Sequence, residues 1–332
     1  MKRVLSATAA AVLALFVAAC GTDSPPATAE GTATVRLGFS AWPGWFPWQV
    51  AQEQELFRRN GVDVELKYFD SYTDSLNALS SGAIDANSQT LNDTLASVSG
   101  GAQQTIVLVN DNSTGNDQVI AREGISGVAD LKGKKVAVEQ GTVDHYLLLL
   151  ALTESGLSQK DIELVPLATD AAAAAFVAGK VDAVGAFAPF TTTALQRPGS
   201  HAVATSAEFP GAIPDHLVVS GAFAKNRPEA AQALVDTWFD TLDWIKENND
   251  KAIEIMAKRG GVSAADYRTY DAGTTIFTLR QNIDAFTPGV TPTHLNHQAG
   301  RIADFMVSTG LTQKRPSLDG LFDDRFVKAV RR

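Results

Sequence analysis

Three of the five tryptophans fall within nine residues, Ser40-Ala41-Trp42-Pro43-Gly44-Trp45-Phe46-Pro47-Trp48. Pro43 and Pro47 forbid a regular helix through this stretch, because each lacks an N–H and restricts the residue before it. Large rings on a loop are covered either by another part of the chain or by a ligand. As a ligand wall, their faces attract cations by about 0.5–2 kcal/mol each. Acids accompany them. The segments that follow strand-like runs, at 40–48, 88–93, 110–117, 139–144, 186–190 and 214–216, contain Asp93, Asp111, Asp117, Glu139, Asp144 and Asp215 but no Lys or Arg.

A planar guanidinium would want flat rings above and below and carboxylates or amides at its rim. Trp42, Trp45, Phe187 and Phe190 are candidate faces; Asp93, Asp111, Asp215, Asn92 and Gln89 are candidate edges. Gly141-Thr142 opens a helix whose free N–H groups suit an anion, so Thr142 and the adjacent Glu139 join the candidate set. Glu139 and Asp144 flank that helix start, and an anion there would meet repulsion of roughly 4 kcal/mol at about 4 Å and an effective dielectric near 20. Asp215 leads the set, because Pro210-Gly211-Ala212-Ile213-Pro214 fixes its direction. Each residue also has a plain structural reading: Asp144 and Asp170 as helix caps, Asn112 to Asn116 as a turn, Phe187 and Phe190 as core.

No Gly-x-Ser-x-Gly, phosphate loop or Cys-x-x-Cys occurs. His294 and His297 could share a helix face, but lack further cysteines or an acid at helical spacing for a metal. No catalytic residue, metal or cofactor is expected. The formal net charge is -9, which argues against nucleic acid as a partner. At 332 residues the chain suits two lobes.

The N-terminus is an export signal. Lys2-Arg3 precede a short apolar run, Val4 to Val17, too short for a comfortable membrane span. Val17-Ala18-Ala19-Cys20-Gly21 resembles a bacterial lipobox, which implies cleavage before Cys20 and lipidation of its thiol. The Ser-, Pro-, Thr- and Ala-rich segment to Thr34 reads as a tether. The expected division is a signal peptide at 1–19, a lipidated tether at 20–34, lobe 1 at 35–124 and 218–332, and lobe 2 at 125–217.

Along the body, strand-like runs alternate with helix-like runs, as expected for an α/β fold with mostly parallel sheets flanked by helices. The helix after Pro47 is expected to run unbroken to Arg59. Gly82-Ala83-Ile84-Asp85-Ala86 and Gly179-Lys180-Val181-Asp182-Ala183 echo each other at the third strand of two such sets. After Val218 the chain reads as mainly helical. Those helices are expected to pack on the first lobe, with chain crossings near Ile125 and Val218.

Several segments together resemble the nitrate, taurine and sulfonate group of solute-binding proteins, which have the type II periplasmic-binding fold. They are Val50-Ala51-Gln52-Glu53-Gln54-Glu55-Leu56-Phe57, the two Asp-Ala strands, Asp130-Leu131-Lys132-Gly133-Lys134-Lys135-Val136-Ala137-Val138, Gly141-Thr142 and Pro189-Phe190. The resemblance covers 35–332 and implies a monomeric, non-enzymatic, lipid-anchored protein outside the cytoplasmic membrane. It would pass a small solute to an ABC permease and its ATPase. It also implies that the segments after the strands face an inter-lobe cleft. The aromatic loop, the run 110–117 and Pro210 to His216 are similar to a branch tied to urea-carboxylase-type nitrogen assimilation, whose implied solute is guanidine. Aliphatic sulfonates, taurine, nitrate, other small amines and uncharged amides are the alternatives. A thiamin-pyrimidine-synthesising enzyme family shares the fold, but relies on a cysteine-rich motif that this chain lacks.

Overall fold

A computed structural model describes residues 34–331. The expected signal peptide and Cys20 lie outside the described residues, as does nearly all of the tether. The first set runs β1 (Val35–Phe39), α1 (Pro47–Glu53), α2 (Leu56–Arg59), β2 (Val64–Tyr68), α3 (Tyr72–Ser80), β3 (Ala86–Thr90), α4 (Leu91–Ser99) and β4 (Gln104–Ser113). Pro47 occupies the first turn of α1, where its missing N–H costs nothing. The helix expected through to Arg59 is broken in two by Glu55, which adopts a left-handed conformation at φ 56.

The second set runs β5 (Asp117–Ala121), β6 (Lys135–Val138), α5 (Val143–Glu154), β7 (Glu163–Pro166), α6 (Thr169–Val177), β8 (Ala183–Phe187) and β9 (His201–Thr205). The chain then returns through β10 (Pro214–Ser220) and, after several helices, β11 (Thr274–Ile276). β11 adds a short edge strand to a region expected to be mainly helical.

The first sheet has the order β11-β4-β10-β3-β1-β2 and the second β7-β6-β8-β5-β9. Both are mixed: most strands of each sheet share one direction, and one interior strand runs against them. β10 lies antiparallel between β3 and β4, and β5 lies antiparallel between β8 and β9. A short apolar run carries no mark of its direction, so the sequence pattern does not reveal these insertions. The chain passes between sheets after Ser113 and back before Pro214, earlier at both points than the expected crossings near Ile125 and Val218.

The echoed aspartates have matching structural roles. Asp85 accepts from the Arg36 N–H at 2.9 Å and pairs with its guanidinium at 2.8 Å. Asp182 accepts from the Lys135 N–H at 3.0 Å and pairs with Arg122 at 2.7 Å. Each ties the start of its lobe's third parallel strand to the strand beside it. The helix Pro228–Glu247 packs on the first lobe, where the Trp238 and Trp48 rings lie 4.7 Å apart.

Candidate functional site

The aromatic loop closes one side of a small internal cavity between the sheets. Ala41, Trp42, Trp45, Tyr72, Thr90, Ile213 and Asp215 meet Asp117, Val143 and Phe187 from the second set. The space admits the centre of a water-sized sphere over only about 10 Å³, room for about one water. Trp42 stands edge-on to Phe187 with centroids 6.4 Å apart, and Trp45 lies 5.5 Å from Tyr72.

The antiparallel strands explain where the acids are. The amino end of β10 lies beside the carboxyl ends of β3 and β4, so Asp215 sits opposite both Thr90 and Asp111. The amino end of β5 lies beside the carboxyl end of β8, which sets Asp117 opposite Phe187. Gly44 lets the aromatic loop close over this edge. A Cβ there would lie 1.9 Å from Asp111 Oδ2.

Asp93, Asp111, Asp117, Asp144 and Asp215 are all buried, and so is Glu139. Among the described residues no Lys or Arg is buried with them, and no salt bridge reaches them. Trp42 Nε1 donates to Asp111 Oδ1 at 2.9 Å, leaving Oδ2 without a partner. Asp215 receives no N–H or hydroxyl donor from the rest of the chain and faces the Asp111 carboxyl within hydrogen-bonding range, while one oxygen each of Asp117 and Asp144 is unmatched. The unmatched donor on the cavity wall is Trp45 Nε1.

Burial pushes Asp93, Asp111 and Asp117 up to about 7. Asp144 and Asp215 are pushed well above the carboxylate range, first by burial; for Asp215, repulsion from Asp111 and Asp117 adds to this. A carboxylate in a dry site without a counter-charge is costly, and it protonates unless a cation completes it. The wall thus offers several acceptors and few donors.

The helix start expected to suit an anion is already engaged. The Asp93 carboxylate stands near the start of α5, where the Val143 N–H favours its charged form. Thr142 spends its hydroxyl on the Glu139 carbonyl at 2.8 Å. Asp144 does not cap α5: Thr142 is the N-cap residue, and Asp144 Oδ2 lies 2.7 Å from Thr169 Oγ1.

Of the expected ligand residues, Trp42, Trp45, Phe187 and Asp215 line the cavity. Asp111 stands directly behind Trp42. Asp93 lies behind Thr90, whose hydroxyl donates to it at 2.7 Å, and Asn92 donates to Asp93 at 3.0 Å. Phe190 packs on Phe187 at 5.5 Å and borders an adjoining crevice rather than the cavity. Gln89 and Thr142 do not line the cavity. Gln89 points to the other face of β3, where its amide meets Thr94, Gln104 and Asn87. Glu139 borders the adjoining crevice and is bonded to Thr73 and Thr169.

Tyr72 and Thr90 line the cavity without being expected there, and Asp117, expected only as one of the segment acids, lines it too. Tyr72 follows the carboxyl end of β2, a segment left out of the candidate loops. Thr90 is the strand neighbour of Gln89, so it faces the opposite way. A larger groove of about 580 Å³, beside Pro210, Phe277 and Gln298, borders the strands that link the sheets. It contains no buried charge and is a weaker candidate.

Two α/β lobes closed over a small aromatic cavity make the fold of the periplasmic-binding proteins. The chain belongs to the NMT1-like family, whose model matches residues 28–259. It is 30% identical over 244 residues to a putative binding protein of Brucella abortus, covering 71% of this chain and 74% of that one. It is 28% identical over 254 residues to the taurine-binding periplasmic protein of Escherichia coli, covering 73% and 78% respectively. The alkanesulfonate-binding protein of Xanthomonas axonopodis bound to MOPS superposes with a TM-score of 0.75 at 22% identity, over 88% of this chain and 98% of that one. A desulfurization enzyme also shares the fold, with a TM-score of 0.61 at 19% identity. The homologues are thus periplasmic binding proteins. Among the described residues, no helix is long and apolar enough to cross a membrane.

Proposed function

We propose that this protein is the extracytoplasmic solute-binding component of an ABC importer, and that its solute is a small nitrogen-containing cation, guanidinium foremost. One observation carries the cation reading: buried carboxylates converge on an aromatic cavity with no cation of the protein's own beside them. A guanidinium would present N–H donors to Asp215 and Asp117, and its faces to Trp42, Trp45 and Phe187. The ring faces and the charge-assisted hydrogen bonds then act on the same ion. The closed cavity has room for about one water, so a solute of a few heavy atoms would be seated only as the two sides part and close around it. The acquired cation returns the acids to their ionised form.

Closure follows from the same contacts. Asp215, Trp42 and Trp45 come from one side and Asp117 and Phe187 from the other, so a solute gains the full set only when the two sides meet. The linking segments 114–116 and 206–213 would serve as the hinge. Lipidation at Cys20 would hold the protein at the outer face of the membrane, where it would deliver its solute to the permease. A sulfonate or taurine is the competing reading, favoured by the similarity to the taurine-binding protein. It would meet the Asp93 carboxylate near the start of α5.

A thermal-shift panel with guanidinium, urea, methylammonium, taurine and nitrate tests the reading. Guanidinium at about 100 times its Kd should contribute roughly 2.7 kcal/mol and raise Tm by several degrees. A shift with taurine and none with guanidinium would overturn it.

A further inference from the structure

Glu139 follows β6 on the second sheet, yet one of its oxygens is bonded across the cleft. Its Oε1 accepts from the Thr73 N–H at 3.1 Å and from Thr73 Oγ1 at 2.5 Å. Thr73 lies in the first turn of α3, a helix packed on β1, β3 and β10 of the first sheet. Its Oε2 stays on its own side, accepting from the Thr169 N–H at 3.4 Å and Thr169 Oγ1 at 2.8 Å at the start of α6. Both helices run nine residues. One buried carboxylate therefore joins the N-terminal ends of two helices from opposite sides of the cleft. Each end presents N–H groups that lack partners within its helix and a dipole that favours negative charge.

Thr169 Oγ1 has a single proton but lies within bonding distance of both Glu139 and Asp144. A protonated Asp144 would donate to the hydroxyl, leaving its proton free for Glu139. Neither carboxylate oxygen of Glu139 is left for a solute.

We propose that Glu139 is a closing latch rather than a solute contact: it bonds the two sides of the cleft directly, so the protein closes part of the time without solute. The inference rests on the hinged-capture reading but not on which solute is bound. Ser71, which caps α3 through the Asp74 N–H, cannot replace it, because the Thr73 N–H is the one that Glu139 satisfies.

Small-angle scattering of the protein without added solute, and with saturating guanidinium, tests the latch. The wild type should scatter as a mixture of open and closed forms, and Glu139→Ala as the open form alone. Saturating solute should close both to the same radius of gyration. Affinity should fall by about tenfold for Glu139→Ala, by the same factor for every solute that binds, since only the closing equilibrium has changed. Thr73→Val, which removes one partner on the opposite side, should shift closure the same way but less. It covers the case in which Glu139→Ala fails to fold. Identical scattering of wild type and both variants without solute would overturn the latch. So would an affinity loss confined to one solute, which would make Glu139 a direct contact. The solute-free comparison stands even if guanidinium does not bind.

Discussion

Two groups of aspartates lie at opposite edges of the same sheets and meet opposite fates. Asp85 and Asp182, at the edge where the third parallel strands begin, each have an arginine and a backbone N–H. Burial works against them, but the arginine and backbone hydrogen bonds win, and both are held below the usual carboxylate range. Asp93, Asp111, Asp117, Asp144 and Asp215 cluster at the other edge, fully buried and without any cation. Burial wins there and pushes them up. Acids that serve only the fold bring their own counter-charge. Those without one point to a positive charge supplied from outside.

The sharpest way to break this contrast is Asp215→Asn. Removing one partner of a buried, hydrogen-bonded charge pair costs about 3–5 kcal/mol, so guanidinium affinity should fall by at least about 100-fold by calorimetry. Unchanged affinity would remove Asp215 from the site. Trp45→Leu keeps an apolar wall but removes a cation-attracting face. Affinity should fall by about tenfold, with Trp42→Leu of similar size. Tryptophan fluorescence on titration would read the change.

Acidity should divide the two groups. The cleft acids must lose protons to bind a cation, so affinity should rise from pH 5 to 8, as groups near 7 ionise, with protons released on binding. A flat profile in that range would count against them. The sign for stability follows the same shifts. Without a cation, raised carboxylates bind more protons folded than unfolded, so they lower stability as pH rises from about 4 through 7. Asp85 and Asp182 have depressed values. Their contribution is full above the unfolded carboxylate range and is lost as pH falls through their folded values. The smallest effect should come from Asp85→Asn: a loss of about 0.5–1 kcal/mol in thermal or urea unfolding, limited by solvent screening of Arg36, and no change in guanidinium affinity.

Much of the frame was legible in advance. Glycine stops, the βα alternation and the aspartate echo located most of the helices and strands, and the helix Pro228–Glu247 carries its own start in Pro228. Direction was not legible. β5 and β10 run against their neighbours, and those reversals bring Asp117 and Asp215 to the cavity edge. The site followed the same pattern. Trp42, Trp45, Phe187 and Asp215, candidates by residue type and position, all line the cavity. Gln89 is a candidate by residue type, but one step along a strand reverses the face, and it is Thr90 that lines the cavity. Thr142 is a candidate for its helix start, but its hydroxyl is given to the Glu139 carbonyl. Glu139 looked like a solute contact because it ends a strand, but its oxygens are spent on two threonines.

The most direct test is calorimetric titration of residues 34–332 with guanidinium and with taurine, at pH 8 in two buffers of different ionisation enthalpy. The cation reading predicts saturable guanidinium binding, proton release seen as a buffer-dependent heat, and no taurine binding. Tight taurine binding with no heat from guanidinium would contradict it.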